Sequence, residues 1–429
     1  MMQTYQDQAL WLLDEAKRLG ADKADVMHVN AVDVSVSCRL GKQDNLERSE
    51  SAGVGLRVWV GDAFAMVSSS HLQQESLGDL AARAVAMARV ATPDPYADLV
   101  HGVSFAPEHA RDDLWDAHDF SAAQMFERAL EAEDAARSVD GITNSEGADV
   151  AYGAYVRTLA TSAGFVGSYR ATTHVLSASV IAGEGATMQR DHEYTAARHY
   201  NALMSPRDVG LRAAQKALAR LHPIKKPTCK VPVVFDPRVG RGILSAFASG
   251  VNGASVARGT SFLKDRMGTQ LFAKGIQITD DATRPRGLAS RPFDGEGVAS
   301  APRVMVADGV VQSWLLDSRS AKQLGLHTTG HASRGMASPP SPAASNLYLH
   351  AGKFSKSALL ADIEEGFYVT ETFGMGVNTI TGDYSQGAAG FWIEKGEIVY
   401  PVSELTIAGK LPEMFAQMTP ADDLAFKYS

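Results

Sequence analysis

Cysteine is scarce in this chain of 429 residues: only Cys38 and Cys229 are present, far apart and in no CxxC pair. That excludes a disulfide-stapled scaffold, and two reduced thiols in a cytoplasmic protein are expected. Basic charge is also in short supply. The net charge is −8, and no run of Lys or Arg is longer than Lys225-Lys226. A duplex-DNA binder needs a basic face to displace counterions, so direct nucleic-acid binding is not expected. Long apolar runs are missing as well; none approaches the about 18 residues of a membrane span. The N-terminal apolar stretch 9–13 is flanked by Asp7, Asp14 and Glu15 with no basic segment ahead of it, so it does not read as a secretory signal. There is no Walker loop and no GxSxG elbow, and Gly374-Met-Gly376 and Gly183-Glu-Gly185 are incomplete fragments of a dinucleotide fingerprint.

What is present suits a globular α+β protein. Hydrophobic residues make up 45% and charged residues 21%, enough to build full cores, and the length suggests roughly two or three domains. Thr4-x-x-Asp7 reads as a capping box for a first helix with Ala9, Leu12, Leu13 and Ala16 on one face and Gly20 as its stop. Val32, Val34, Val36, Cys38 and Leu40 then alternate as in a half-buried strand, and strands over 54–60 and 63–67 meet across Gly61-Asp62. A long helix from about residue 74, a Ser121-capped helix, strands between 152 and 181, and a helix opened by Ser205-Pro206 follow. The buried stripe of that last helix is expected at Leu211, Ala214, Leu218 and Leu221. These elements predict an N-terminal mixed sheet with helices packed on one face, over 1–222. The proline- and lysine-bearing segment 223–228 reads as a linker. Residues 229–429 read as a β-sandwich or pseudo-barrel with inserted helices near 238–251, 318–324, 357–365 (stopped by Gly366) and 412–418, and an Asp308-Gly309 hairpin. Segment 335–345, rich in Pro, Ser and Ala, reads as a mobile loop or a lid.

Candidate chemistry is sparse. His192-Glu193 and His199 lie seven apart where a zinc-binding HExxH needs its histidines four apart on one helix face, so surface polar residues are the better reading. His327 and His331 have the right spacing but sit among Thr and Gly, in a polar loop. Arg291, Asp294 and Glu296 stand among glycines, which suits either a charged loop at a cleft or a salt-bridged turn. The stretch from Thr381 through Asp383, Tyr384 and Ser385 to Trp392 reads as a glycine-punctuated loop running into an aromatic strand. It is open to interpretation as a general-acid pair at Asp383 and Tyr384, a structural loop or a peptide-binding edge.

Five stretches in fixed order carry a family resemblance: Arg291-Pro-Phe-Asp-Gly-Glu-Gly-Val298, Leu315-Leu-Asp-Ser-Arg-Ser-Ala-Lys-Gln-Leu-Gly-Leu326, Ser345-Asn-Leu-Tyr348, Thr381-Gly-Asp-Tyr-Ser-Gln-Gly-Ala-Ala-Gly-Phe-Trp392 and Pro401-Val-Ser-Glu-Leu-Thr-Ile-Ala-Gly409. With them the whole chain resembles the TldD/PmbA family of peptidase-complex subunits, once called modulators of DNA gyrase, and most of all its PmbA (TldE) branch. The resemblance implies two related subunits, one carrying an HExxxH helix and a cysteine that bind zinc. In this sequence the HExxxH positions fall on Leu244, Ser245 and Ser249, and the cysteine near Ile276. The implied expectation is a chain with no catalytic or metal-binding residues of its own and no cofactor. It would pair with a zinc-bearing TldD-type paralogue, or with itself when alone, and help hold a peptide in a groove or interface formed around Arg291, Asp294, Glu296, Thr381, Asp383, Tyr384 and Ser385. Two other readings are an active hydrolase using His327, His331 and Asp383, and a regulatory module acting on a DNA-topology protein. The resemblance also implies one further apolar strand after Ala425-Phe-Lys-Tyr-Ser429, so a truncated final strand and an exposed sheet edge are expected.

Overall fold

The computed structural model describes residues 2–101, 111–118, 120–374 and 376–425; the end segment 426–429 lies outside them. The first unit comprises α1 (Met2–Arg18), β1 (Lys23–Arg39), β2 (Lys42–Val60), β3 (Ala63–Ser69), α2 (Gln74–Val90), α3 (Ala122–Arg137), β4 (Ile142–Thr161), β5 (Val166–Ala182), β6 (Gln189–Ala197) and α4 (Pro206–Ala219). Its six strands lie in the order β3-β2-β1-β4-β5-β6. All neighbouring pairs are antiparallel, so the sheet is not mixed as expected. The reason is local: two hairpin runs, β1-β2-β3 and β4-β5-β6, are separated by the helical α2 and α3, and no crossover joins parallel neighbours.

The helices cover one face. Ala9, Leu12, Leu13 and Ala16 of α1 and Leu77, Leu80, Ala81, Ala84 and Val85 of α2 pack on Val26, Val54, Leu56 and Val58. Helices α3 and α4 pack on Val36, Cys38, Ala148, Leu176 and Val180. Ser121 accepts from Gln124 N and completes a capping box at α3. The Thr4 box is not formed, because α1 already runs from Met2 and Thr4 is inside it. The buried stripe of α4 is Val209, Gly210, Ala213, Ala214 and Ala217, rotated from the leucines expected. Close approach to α3 sets it: a Cβ on Gly210 would stand 2.0 Å from Ala132 O, so only small residues fit the seam and the leucines are left at its rim.

The segment 223–228 is not a free tether. Ile224 N donates to Pro401 O at 3.0 Å, and the Lys226 ammonium sits 4.3 Å from the Trp392 ring centroid. It leads into β7 (Val233–Phe235), α5 (Pro237–Gly250), α6 (Gly253–Ala257), β8 (Ile278–Asp281), β9 (Pro302–Ala307), β10 (Val310–Val311), α7 (Ser318–Leu324), β11 (Ala332–Ser333), β12 (Ser341–Pro342), β13 (Leu347–Leu349), α8 (Lys356–Ala361), β14 (Glu365–Phe373), β15 (Asp383–Glu394), β16 (Glu397–Lys410) and α9 (Leu411–Ala416). These make two four-stranded sheets, β10-β9-β8-β13 and β16-β15-β14-β7, and a β11-β12 ribbon; the described strands do not close a barrel. The α+β architecture is otherwise as the sequence implies. The Asp308-Gly309 hairpin forms with φ +47° and +79°. Helix α8 stops at Ala361, earlier than predicted, and Gly366 belongs to β14. There its missing Cβ leaves room for the Ile363 side chain, which a Cβ would meet at 2.6 Å.

The predicted glycine-rich loop after Thr381 is mostly strand. Gly387 and Gly390 lie within β15, where a Cβ would stand 2.2 Å from the Phe373 ring and 2.0 Å from Tyr368 O. Its glycines admit a neighbouring strand and its ring, which is why a loop reading based on glycine content fails here.

One buried group gives the first unit a pH dependence. His28 in β1 lies under α1, stacked on Tyr5 at 5.4 Å, 1% exposed and with neither ring nitrogen hydrogen-bonded. Burial pushes it down to about 4 from an ordinary 6.5. Between those values the unfolded chain takes a proton that the folded one refuses, so stability falls as pH falls. Acidification through that window should cost up to about 3 kcal/mol, read as a urea midpoint. His28→Leu should flatten this part of the profile; an unchanged acid loss in the variant would assign it elsewhere.

Candidate functional site

The positions implied for the family's metal helix lie on α5. Asp236 accepts from Arg238 N as its N-cap, Pro237 opens it, and an apolar stripe of Ile243, Leu244, Ala246 and Phe247 faces the core. Leu244 and Ile276 both belong to the apolar cluster built on Phe247, Phe272 and Phe415. Ser245 and Ser249 point the other way, to solvent, with Ser249 Oγ donating to Ser245 O at 2.9 Å. Two aliphatic side chains in a core and two surface hydroxyls do not fit a zinc ion, which takes imidazole, thiolate or carboxylate donors converging on one point. Among the described residues no three His, Cys, Asp or Glu side chains converge in that way.

The Arg291 loop is buried rather than open. Phe293 packs edge-on against Phe165 and Tyr169 of the first unit, at 5.0 and 5.2 Å. Asp294 Oδ1 accepts from Glu296 N and Val298 N, and its Oδ2 accepts from Ala332 N at 3.0 Å. Glu296 accepts from the backbone and hydroxyl of Ser318. Arg291 stands close enough to Asp294 to favour its charged form, yet burial prevails and raises the Asp294 carboxyl. Glu296 is pushed up to about 8 by burial first and by the Asp294 charge second. The turn reading of this loop is therefore the one the geometry fits.

Beside it lies a buried ion cluster between the two units. Arg57 reaches Asp25 Oδ2 through Nε (3.0 Å) and Nη2, and Arg334 Nη1 reaches Asp25 Oδ1 at 2.6 Å. Burial alone would push Asp25 up, but the two guanidiniums outweigh it and hold the carboxyl below its usual range. Segment 335–345 is tied down by the same contact. Met336 follows Arg334 onto β2, where a Cβ on Gly55 would stand 2.0 Å from Met336 O, and Ser341–Pro342 forms β12.

The histidines do not assemble with Asp383. His331 is buried; its Nε2 pairs with Asp280 Oδ1 at 3.1 Å and its Nδ1 with Thr329 Oγ1 at 2.9 Å. Asp280 also accepts from the backbone and hydroxyl of Ser345. A carboxylate between serine and histidine is the wrong order for a nucleophilic triad, in which the imidazole must bridge the other two. His327 is exposed. His192 and Glu193 lie on strand β6, with Glu193 paired to Lys216 at 3.1 Å, and His199 Nε2 bonds Asp113 O. Thr381 and Asp383 form a surface cluster in which Asp383 pairs with Lys410 at 2.7 Å and accepts from Thr381 Oγ1. Tyr384 is buried with its hydroxyl donating to Gln386, and Ser385 N donates to Gly376 O. Asp383 is held low by Lys410 first and Thr381 second, which suits a fixed charge and not a general acid. Thus Phe293 faces the first unit and Asp294 and Glu296 are satisfied by Ala332 and Ser318 of their own unit, while Thr381, Asp383, Tyr384 and Ser385 belong to the corner around Asn378 and Lys410.

A concavity that the sequence did not reveal lies elsewhere between the units. It encloses 990 Å³ and is lined from β6, α4, the 284–288 turn and β13. Arg198 spans it, donating to Thr172 O, Gly287 O and Leu288 O. Arg111 Nη2 donates to Arg284 O, and Arg286 N donates to Asp113 Oδ2 at 2.9 Å. The sequence signal was faint: Arg284-Pro-Arg286 is a local basic density, but its partners come from residues more than a hundred positions away.

The ion cluster makes two testable statements. Removing one member strands buried charge, so Asp25→Ala should cost about 3–5 kcal/mol, measured by denaturant unfolding. Glu296 retains its proton in the folded protein between 4.5 and about 8 while the unfolded chain has released it, so its contribution to stability is lost as pH rises through that window. Glu296→Gln should remove that slope; a persisting slope would assign it to other groups.

Comparison with known proteins agrees with this architecture. Three family models match in succession: PmbA/TldA metallopeptidase domain 1 over 24–88, the central domain over 115–221 and the C-terminal domain over 228–429. The chain is 37% identical over 414 residues to the metalloprotease PmbA homolog of Haemophilus influenzae, covering 95% of this chain and 89% of that one. It is 37% identical over 396 residues to metalloprotease PmbA of Escherichia coli O157:H7, covering 92% and 86%. Among solved structures, a putative modulator of DNA gyrase from Bacteroides thetaiotaomicron superposes with TM-score 0.89 at 24% identity, covering 97% and 93%. TldE from Thermococcus kodakarensis superposes with TM-score 0.85 at 19% identity, covering 96% and 93%. With family models matching nearly its whole length and close relatives on one side of the family, the chain belongs to the PmbA/TldE branch of the PmbA/TldD metallopeptidases.

Proposed function

We propose that this chain is the zinc-free subunit of a two-subunit cytoplasmic metallopeptidase. In this reading it pairs with a zinc-bearing TldD-type paralogue, walls the chamber in which cleavage occurs and helps hold peptide substrates. The observation that carries the proposal is the fate of the metal-helix positions: Leu244 and Ile276 are buried in an apolar core, and Ser245 and Ser249 are spent on the helix surface. A water-activating metal site cannot be built there without exchanging core side chains for donors. Exposed Phe373 and Ile380, 50% and 61% accessible, support a pairing surface on the C-terminal unit. In the absence of the paralogue the same surface would pair two copies of this chain.

The test is metal analysis and peptide cleavage on the purified chain, alone and co-expressed with a TldD-type paralogue. The expected outcome is no stoichiometric zinc and no chelator-sensitive cleavage alone, and a stable, active heterodimer together. Zinc bound one to one with cleavage by the isolated chain, or failure of the two chains to co-purify, would overturn the proposal.

A further inference from the structure

The first hairpin of the N-terminal sheet carries a long, bare strand edge. β2 runs from Lys42 to Val60, but β3 pairs only with its residues 54–60. Over 42–52 the strand pairs with β1 alone, and among the described residues no hydrogen bond reaches its backbone from the other side. Residues 42–51 are all exposed. Alternate residues of a strand aim their amides and carbonyls at opposite neighbours, so half of this backbone faces water. Native edges are usually blunted by shortness, proline or bulges. This one is roughly 35 Å long at about 3.3 Å per residue. It holds no proline, and its one bulge is at Asp44, the extra residue between the pairs Ser37–Asn45 and Cys38–Gln43.

The edge is complementary to itself. Two copies related by a two-fold axis through the sheet pair antiparallel, with one residue meeting its own counterpart at the axis. β3 restricts that residue: the hairpin tip at Leu40-Gly41 of one copy must stop short of Val54 of the other, so the axis can lie no further along than Glu47. With the axis at Glu47 two carboxylates meet, which is destabilising. With the axis at Asn45, each Leu46 falls on the polar pair Gln43-Asp44 of the bulge. With the axis at Leu46, leucine meets leucine, Asn45 meets Glu47, and Arg48 falls on Gln43-Asp44, so no like charges are opposed. That register also covers Leu46, which is 46% exposed in the single chain. Arg48 otherwise pairs only with Glu50 of its own strand, with both side chains more than half exposed. Such a surface pair holds it weakly.

We infer that the 42–52 edge joins two copies of this chain into one continuous sheet, antiparallel and centred on Leu46. The inference goes beyond pairing with a paralogue, which was assigned to the C-terminal unit, and does not depend on it.

The test places cysteines in a Cys229→Ser background, which leaves only the buried Cys38. Residues directly opposed across a strand pair have Cβ atoms about 4.5–5.5 Å apart, within reach of a disulfide after small adjustment. Residues two positions from the axis are offset from their counterparts by about 13 Å along the strand. With oxidised glutathione as oxidant, Leu46→Cys should form a covalent dimer at least about tenfold faster than Arg48→Cys. Leu46→Lys, a change at an exposed side chain, opposes two ammonium groups and should halve the sedimenting mass at about 100 µM protein, a concentration suited to a small interface. Two copies could also meet through the C-terminal unit, so the position of the cross-link identifies the interface and mass alone does not. Equal cross-linking at 46 and 48, no cross-link at 46, or an unchanged mass for Leu46→Lys overturns the inference. A failed heterodimer with the Leu46→Cys cross-link intact would count against the paralogue reading alone. An active heterodimer with no cross-link at 46 would count against this inference alone.

Discussion

Asp25 is the residue on which the joined structure depends. It lies on the sheet face that the helices leave uncovered, and it is neutralised by one arginine from its own sheet and one from the C-terminal unit. A buried carboxylate is tolerable only when its charge and lone pairs are met. The Arg334 contact therefore cannot be an optional surface tie; it is a condition for burying that face. Phe293 on Phe165 and Tyr169 adds the apolar part of the same contact. Arg319 with Asp94 and Arg238 with Asp191 add further ion pairs between the units around its margin.

The docking has a functional side. Fixing the C-terminal unit against the N-terminal sheet also fixes the distance between the edges of β6 and β13, and Arg198 spans that gap with donors from a single guanidinium. The cleft is thus a product of packing between units and not of either alone, which is where ligand sites tend to occur. The buried Glu296 and Asp294 sit in the same seam, so the seam's energy varies with pH.

Much of the local structure was legible in the sequence because local rules governed it. Ser121 and Ser205 cap their helices as their side chains allow, and the Asp308-Gly309 turn takes the backbone its residues favour. The family could be recognised from the stretches around Arg291, Leu315 and Thr381. What sequence could not yield was the purpose of glycines and charges whose partners are distant. Gly387 and Gly390 look like loop or ligand glycines until Phe373 and Tyr368 are placed against them. Asp294 and Glu296 look like cleft residues until Ala332 and Ser318 are seen to satisfy them. The candidate cleft was invisible for the same reason: its walls come from β6, α4, the 284–288 turn and β13, and no motif links them.

The bond between Asp25 and Arg334 joins residues 309 positions apart. At ribosomal speeds of 5–20 residues per second, the arginine emerges roughly 15–60 s after the aspartate. During that interval the N-terminal sheet can complete its helical face but not its other one. Met27, Leu159 and Tyr169 stay wet, and Asp25 has only Arg57 for company. The nascent chain thus passes through a stage with a finished side and a sticky side, and chaperone attention during synthesis would concentrate on the face that later becomes the seam.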